Sequence, residues 1–149
     1  MMLSENFSLE ELTKSQTAIR KGIDNNPNAD HIAALGHLAM NILQPVRNHF
    51  GKPYTPSSGY RSVELCLAIG SSEKSQHAKG EAADFEVPNV SNMELAQWIV
   101  SNLDFDQLIL EYYTGGNTGW VHCSYKEFGN RKEVLTLSKA NGYREGLHD

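Results

Sequence analysis

Hydrophobic residues recur at helical spacing in the first part of the chain and in short β-prone runs in the second. The clearest helix runs from about Asp30 to Phe50, where apolar residues return every three or four positions. Pro45 is expected to kink this helix or to restart it at a new first turn. Capping-box sequences predict two further helices, which begin after Ser8 and after Ser91. Helix is therefore expected mostly in the first two thirds of the chain.

The predicted strands come mostly later and are separated by turn residues. The first runs from Ala82 to Val87, and a last one is expected from Glu133 to Leu137. Between them, Asp106–Tyr112 and Trp120–Tyr125 are joined by Gly115-Gly116-Asn117-Thr118, which is a hairpin signal. Helices first and strands later, with hairpin connections, favour an α+β fold with a small antiparallel sheet and N-terminal helices.

Composition narrows the classes of protein and of partner. The length predicts a single domain over residues 1–149. A net charge of −5 argues against a nucleic acid as partner, whereas a peptide, a glycopeptide or a small molecule stays possible. No apolar stretch approaches the roughly 20 residues of a membrane span. The first residues lack the basic and apolar regions of a signal peptide, so we expect synthesis in the cytoplasm; the final location stays open, with a holin or lysis as one route of release.

Two cysteines at long spacing, Cys66 and Cys123, form neither a zinc-finger pattern nor a disulfide framework. They are expected to be buried or half-buried free thiols. Cys123 adjoins His122, but successive residues of a strand face opposite ways, so it is not counted as a metal ligand. Three other histidines lie in or beside the long helix without a carboxylate arranged around them, and we expect no metal there: His31, His37 and His49.

Residue types that bind metals are concentrated in the run Ser75–Asp84 and in Trp120-Val121-His122. His77 and Asp84 are seven residues apart, which suits a loop that bends back into a strand. His122, in a predicted strand, is the natural third ligand. Two neutral imidazoles, one carboxylate and one open position are the composition of a catalytic zinc site, which can activate a water molecule.

A general base is expected on the hairpin. If the turn is centred on Gly116-Asn117, Glu111 lies directly opposite His122, with their Cβ atoms about 5 Å apart. A carboxylate in that place can take a proton from a water molecule at the metal. A slip of one residue would send Glu111 to the other face of the sheet. Glu81 and Glu86 are weaker alternatives.

Arg61 and Ser75 are candidate substrate-binding residues. The guanidinium of Arg61 can grip a substrate carboxylate or stabilise an oxyanion, although a surface arginine or an internal salt bridge is also open. Ser75 can hydrogen-bond a substrate, support the ligand loop or simply belong to a turn.

Three motifs together resemble those of a known family. They are Ser-Gly-Tyr-Arg-Ser at 58–62, Ser-x-His-x-x-Gly-x-Ala-x-Asp at 75–84, and Trp-Val-His at 120–122. The resemblance is to the zinc D-Ala-D-Ala carboxypeptidase family, which includes bacterial D,D-carboxypeptidases and dipeptidases and phage L-alanyl-D-glutamate endopeptidases. The chain is most similar to the short phage-type and prophage-type members. The fold implied is the small α+β fold shared with the hedgehog signalling domain.

The resemblance also implies roles for individual residues. It implies zinc on His77, Asp84 and His122, and it places Arg61 in substrate binding and carbonyl polarisation. Ser75 is implied to lie near the substrate, and Trp120 of the third motif is a further substrate-binding candidate.

One departure from the family pattern concerns the base. Many members carry an acid three residues before the last histidine, or a second histidine two residues before it. Here those positions hold Gly119 and Trp120, so the base has to come from elsewhere, and Glu111 is our choice.

Three functions follow as hypotheses. The first is a zinc peptidase that cuts stem peptides or muropeptides of bacterial peptidoglycan, as a D,D-carboxypeptidase or an endolysin-type endopeptidase. The second is a non-catalytic zinc-containing module that binds the cell wall or a protein, which the missing acid before His122 keeps open. The third is a metal site that only stabilises the fold. The sequence specifies neither the bond that is cut nor the oligomeric state.

Overall fold

The computed structural model describes all residues, 1–149. Its helices are α1 (Leu9–Thr13), α2 (Gln16–Lys21), α3 (Ala29–Leu38), α4 (Gln44–Phe50), α5 (Val63–Ala68) and α6 (Asn92–Asn102). A π-helical turn (Ala39–Leu43) joins α3 to α4, and a 3₁₀ turn spans Gln76–Lys79. The strands are β1 (Ala82–Phe85), β2 (Gln107–Glu111), β3 (Trp120–Ser124), β4 (Glu133–Ser138) and β5 (Gly142–Glu145). None of the helices combines the length and the apolarity needed to cross a membrane.

The five strands form one sheet in the order β1-β3-β2-β4-β5. Three neighbouring pairs are antiparallel, as expected, and the β2–β4 pair is parallel. The expected α+β class is confirmed, with this one parallel pair inside a mostly antiparallel sheet. The sequence pattern missed β5, because three of its four residues are exposed and none is part of an apolar alternation.

The long N-terminal helical segment passes Pro45 through the π-helical turn. Pro45 lies in the first turn of α4, and the preceding Gln44 N–H donates to the carbonyl of Ala39, five residues back. The helix therefore restarts at proline, where a missing N–H is tolerated, as the sequence predicted.

The register of the β2–β3 hairpin differs from the prediction. Glu111 pairs with Trp120, and the partner of His122 is Ile109, so the expected direct pairing of Glu111 with His122 is wrong. The strands stop at Glu111 and Trp120, and the loop between them is centred on Gly115 and Gly116. The register differs from the predicted one by two residues, so Glu111 stays on the same face of the sheet as His122. Glu111 is therefore a diagonal neighbour of His122, at about 7–8 Å.

The core lies between the helices and one face of the sheet. It is filled by residues of α3, the π turn, α4 and α6, and by alternate strand residues: Ala83, Phe85, Leu108, Leu110, Val121 and Cys123. Both cysteines are buried and free, as predicted. Because successive strand residues face opposite sides, the intervening residues Asp84, Glu111, Trp120 and His122 all point to the sheet face away from this core.

Gly80 allows the 3₁₀ turn that carries His77 to lie against α3. It adopts a left-handed conformation, with φ of 76°, and an added Cβ would stand 2.6 Å from the carbonyl oxygen of His31. Only glycine fits both requirements. Gly80 therefore allows the bend between the two candidate ligands and also sets how closely the turn packs on the helix.

Gly80→Ala should cost more stability than Gly51→Ala, which provides a matched control. Gly51 has φ of 66° but open space around its Cβ position, so alanine there meets backbone strain alone, of about 1 kcal/mol. Alanine at 80 adds a clash with backbone and should lower the free energy of unfolding by about 2 kcal/mol or more. Urea unfolding of both variants measures the difference. Equal losses would show that the approach to His31 is unimportant.

Candidate metal centre

His77, Asp84 and His122 meet at the floor of a cleft. One nitrogen or oxygen atom from each lies within 4.8 Å of the others. Oδ1 of Asp84 is 3.3 Å from Nε2 of His77 and 3.0 Å from Nδ1 of His122. Asp84 and His122 are direct partners across β1 and β3, whereas His77 reaches them from the 3₁₀ turn. The structure thus brings together all three residues that the sequence proposed as ligands.

The tautomer of His77 is fixed by its surroundings. Its Nδ1 lies 2.7 Å from the carbonyl oxygen of Gly59, which can only accept, so Nδ1 carries the hydrogen. Burial lowers the pKa of His77, which keeps the ring neutral. Its Nε2 is then a bare lone pair, and this buried atom has no hydrogen-bond partner. A buried lone pair beside a carboxylate is costly unless a cation lies between them.

Asp84 is held in its charged form. Burial by itself would raise its pKa, but the hydrogen bond from the His122 ring outweighs burial and holds the pKa of Asp84 well below its usual range. An ionised carboxylate and two imidazoles are ligand types that Zn²⁺ prefers, and the carbonyl of Gly59 orients one imidazole from behind. The donor set therefore fits a zinc ion.

The Ser-Gly-Tyr-Arg-Ser motif at 58–62 contacts both candidate ligands of the 75–84 motif. Besides the contact from Gly59, the backbone N–H of Arg61 donates to the carbonyl of His77 over 3.1 Å, and Ser58 forms a bridge with Asp84. The Arg61 side chain lines the cleft, and its Nε is buried without a partner. The arginine ion pairs of this structure belong to Arg131, so an internal salt bridge of Arg61 is not observed.

Glu111 also opens on this cleft, and Trp120 holds it in place. The indole Nε1 of Trp120 donates to Oε2 of Glu111 over 3.0 Å. Burial and the charge of Asp84 raise the pKa of Glu111, and His122, Trp120 and Arg61 oppose them in part. A carboxylate with a raised pKa suits a general base working near neutral pH.

The rival acids lie elsewhere. Glu81 lines a separate cleft beside α3, and Glu86 lines another pocket and accepts a hydrogen bond from Asn92. Neither borders the cleft that holds the three candidate ligands. Glu111 is the only glutamate that does.

Gly119 explains why no acid stands three residues before His122. Its φ is 67°, and an added Cβ would overlap the backbone carbonyl oxygen of Glu111. A side chain at 119 is therefore excluded by the backbone of the very residue that brings a carboxylate to the cleft from the facing strand.

Ser75 and Trp120 line the cleft and also support other residues of the site. The Ser75 hydroxyl accepts from the backbone N–H of His77 over 3.2 Å, which caps the 3₁₀ turn. Support of the ligand loop was one of the roles left open for Ser75. Contact of either residue with a substrate stays a prediction.

A buried hydrogen-bond network that sequence analysis did not detect lies beneath the turn that carries His77. Asp106 is fully buried, and its carboxylate accepts from Gln76 Nε2 at 2.7 Å and from Arg131 Nε and Nη2 at 3.0 and 2.9 Å. Burial alone would raise the pKa of Asp106, but Arg131 and Gln76 lower it to about 2. Because Gln76 precedes His77 directly, this network anchors the turn to the start of β4. Asp106 is 30 residues from Gln76 and 25 from Arg131, so no local sequence pattern indicates these hydrogen bonds.

The cleft has a volume of about 670 Å³ and is predominantly polar. Residues from the C-terminal part of the chain complete its wall: Lys126, Arg131 and Tyr143. A metal ion on the three candidate ligands would keep one side open to this space. That is the plan of a metal-dependent hydrolase rather than of a closed structural metal site.

Comparison with known proteins agrees with this class. A family model described as Peptidase M15 matches residues 5–124. The chain belongs to the peptidase M15 family, whose members are zinc-dependent peptidases, and the resemblance to zinc D-Ala-D-Ala carboxypeptidases is confirmed. No curated protein matches the chain. The three C-terminal residues of the cleft wall follow the matched region.

Removing Arg131 should weaken the protein in a pH-dependent way. A carboxyl group whose pKa is lowered on folding stabilises the fold above its usual pKa near 3.8, and this contribution disappears as the pH falls towards 2. Arg131→Met should therefore lower the free energy of unfolding by about 1–3 kcal/mol at pH 6, and the gap to the original protein should narrow between pH 4 and pH 2. Urea unfolding across this range measures the gap, with the exposed Lys139→Met as control. A gap that does not change with pH would contradict the role of Asp106.

Proposed function

We propose that this chain is a zinc-dependent peptidase that hydrolyses peptide bonds of bacterial peptidoglycan, with residues 1–149 acting as one domain. The observation that carries this proposal is the arrangement around one cleft. Two imidazoles and a carboxylate converge at its floor, Glu111 stands beside them, and the unpaired Arg61 lines the same space. An acid, a cation and a metal site around one open cavity are the groups that peptide hydrolysis requires.

Zinc would be held by Nε2 of His77, a carboxylate oxygen of Asp84 and Nδ1 of His122. Bound there, zinc supplies Lewis-acid chemistry, because it polarises the scissile carbonyl and lowers the pKa of a water molecule. The neutral tautomer of His77 and the ionised state of Asp84 are the forms that such an ion needs, and both exist before it binds.

The chain's own residues then move the proton and stabilise charge. Glu111 removes a proton from the attacking water and returns it to the leaving amine nitrogen. Trp120 donates to one oxygen of Glu111, which leaves the other oxygen free for this transfer. Arg61 donates to the developing oxyanion or to a terminal carboxylate of the substrate.

The proposed substrate is a stem peptide or muropeptide, cut as by a D,D-carboxypeptidase or an endolysin-type endopeptidase. Glu111 argues against the alternative of a purely binding module. Half-burying a carboxylate costs desolvation free energy, and a binding module would gain nothing from that cost, whereas a peptidase uses the carboxylate for proton transfer. The open cleft argues against a metal that only stabilises the fold.

Zinc binding should depend on His122 and not on His37. His37 is a helix-surface histidine that faces Glu127 at 3.8 Å, so His37→Ala changes a histidine without touching the site. We expect one zinc ion per chain in the original protein and in His37→Ala, and loss of tight binding in His122→Ala. Calorimetric titration of the chelator-treated protein with zinc measures both. Full zinc binding by His122→Ala would refute the ligand set.

Glu111→Ala should keep zinc and lose turnover. Loss of a general base typically costs 10²- to 10⁴-fold in rate, and we expect a loss in that range on purified muropeptides. Mass spectrometry of the products identifies the bond that the original protein cuts, and a chelator should stop cleavage. Glu86→Ala is the matched control, since Glu86 lies outside the cleft. If Glu111→Ala stays fully active, the base is wrongly assigned.

A further inference from the structure

The candidate active-site cleft is cationic, although the protein as a whole is acidic. The chain carries a net charge of −5, yet five of its 13 lysines and arginines line this one cleft. Only two acids share the wall, Asp84 and Glu111. Asp84 is a proposed zinc ligand, so a bound ion would make the cleft more positive still. Such a local reversal of sign favours an anionic ligand.

Most of these cations have no partner within the protein. Arg131 is bound to Asp106 and contributes little free charge. The other four form no ion pair in the structure: Arg61, Lys74, Lys79 and Lys126. Glu81 feels the charge of Lys79 and Lys126 without pairing with either. These four unpaired side chains supply the positive charge of the cleft, although Lys79 also borders the neighbouring cleft beside α3.

The three lysines lie close to the metal centre along the chain. Lys74 and Lys79 stand on either side of His77, before and at the end of the 3₁₀ turn. Lys126 follows the end of β3, four residues after His122. Arg61 is already assigned to the reacting carbonyl or a terminal carboxylate. The lysines are thus available for a second negative group, farther from the reacting bond.

We propose that Lys74, Lys79 and Lys126 form a carboxylate-binding subsite, which selects peptides carrying a free carboxylate beside the stretch that is cut. This inference rests on the proposed peptidase function and names the chemical class of its substrate. Within peptidoglycan stems, the α-carboxylate of the D-glutamyl residue is such a group, and it occurs either free or as an uncharged carboxamide. The free form should be preferred, because only it gains from the unpaired lysines.

A matched pair of muropeptides tests the subsite. The two peptides are identical except that the D-glutamyl α-carboxyl group is free in one and amidated in the other. The free form should be cut with a kcat/KM about three- to tenfold higher at low ionic strength, as expected for a few solvent-exposed charge contacts. The preference should shrink in 0.5 M NaCl, because salt screens exposed charges.

Charge-removing variants separate the subsite from a general effect of net charge. The triple variant Lys74→Gln/Lys79→Gln/Lys126→Gln should lose the preference. Its control, Lys21→Gln/Lys52→Gln/Lys139→Gln, removes the same charge from residues outside the cleft and should keep the preference. Equal cleavage of both peptides by the original protein would overturn the subsite, as would a preference that survives in the cleft variant.

Binding provides a readout that does not depend on turnover. Calorimetry with the zinc-loaded Glu111→Ala protein should give a Kd for the free-carboxylate peptide about three- to tenfold below that for the amidated one. Binding or cleavage of both peptides without preference would refute this inference and leave the proposed function standing. If neither peptide is bound or cut, the proposed function fails together with the subsite.

Discussion

The structure of the site depends on three candidate metal ligands whose side chains meet, largely buried, at the floor of the cleft. Oδ1 of Asp84 faces a ring nitrogen of each histidine, and Nε2 of His77 is buried there without a hydrogen. Bringing these groups together has a free-energy cost, because buried polar atoms lack the contacts that water would give them. The surrounding fold has to hold the three groups in place against that cost. The free energy of binding a cation there would offset it.

The three side chains are positioned in two different ways, by strand pairing and by close backbone contacts. The β1–β3 ladder sets Asp84 opposite His122, so their distance follows from strand pairing alone. His77 has no such ladder and depends on close backbone contacts instead. Gly59 accepts from its ring, Arg61 donates to its carbonyl, and Gly80 brings its turn against α3. The first two of these residues belong to the Ser-Gly-Tyr-Arg-Ser motif, which therefore supports the candidate metal ligands and also presents a guanidinium to the cleft.

The sequence predicted features that depend on neighbouring residues, and it did not predict contacts between residues far apart along the chain. Capping residues and apolar periodicity predicted α1, the long segment from α3 to α4, and α6, and ligand types with their spacing selected three residues that meet in the structure: His77, Asp84 and His122. The hairpin register was missed because a run of Gly, Asn and Thr does not fix the centre of an eight-residue loop. The Asp106–Arg131 pair could not be foreseen, since its partners are 25 residues apart and neither lies in a recognisable motif.

The error in register also shows how the acid reaches the site. The backbone at Gly119 is left-handed and packs on the carbonyl of Glu111, so the start of β3 has no room for a side chain at this position. The same close contact brings the end of β2 to the rim of the cleft, where Glu111 faces the metal centre diagonally and Trp120 fixes its orientation. A two-residue change in pairing keeps a side chain on its face, whereas a one-residue change would have removed it. The position of Glu111 therefore follows from the two-residue register of the hairpin, which keeps its side chain on the cleft face, and from the missing Cβ of Gly119.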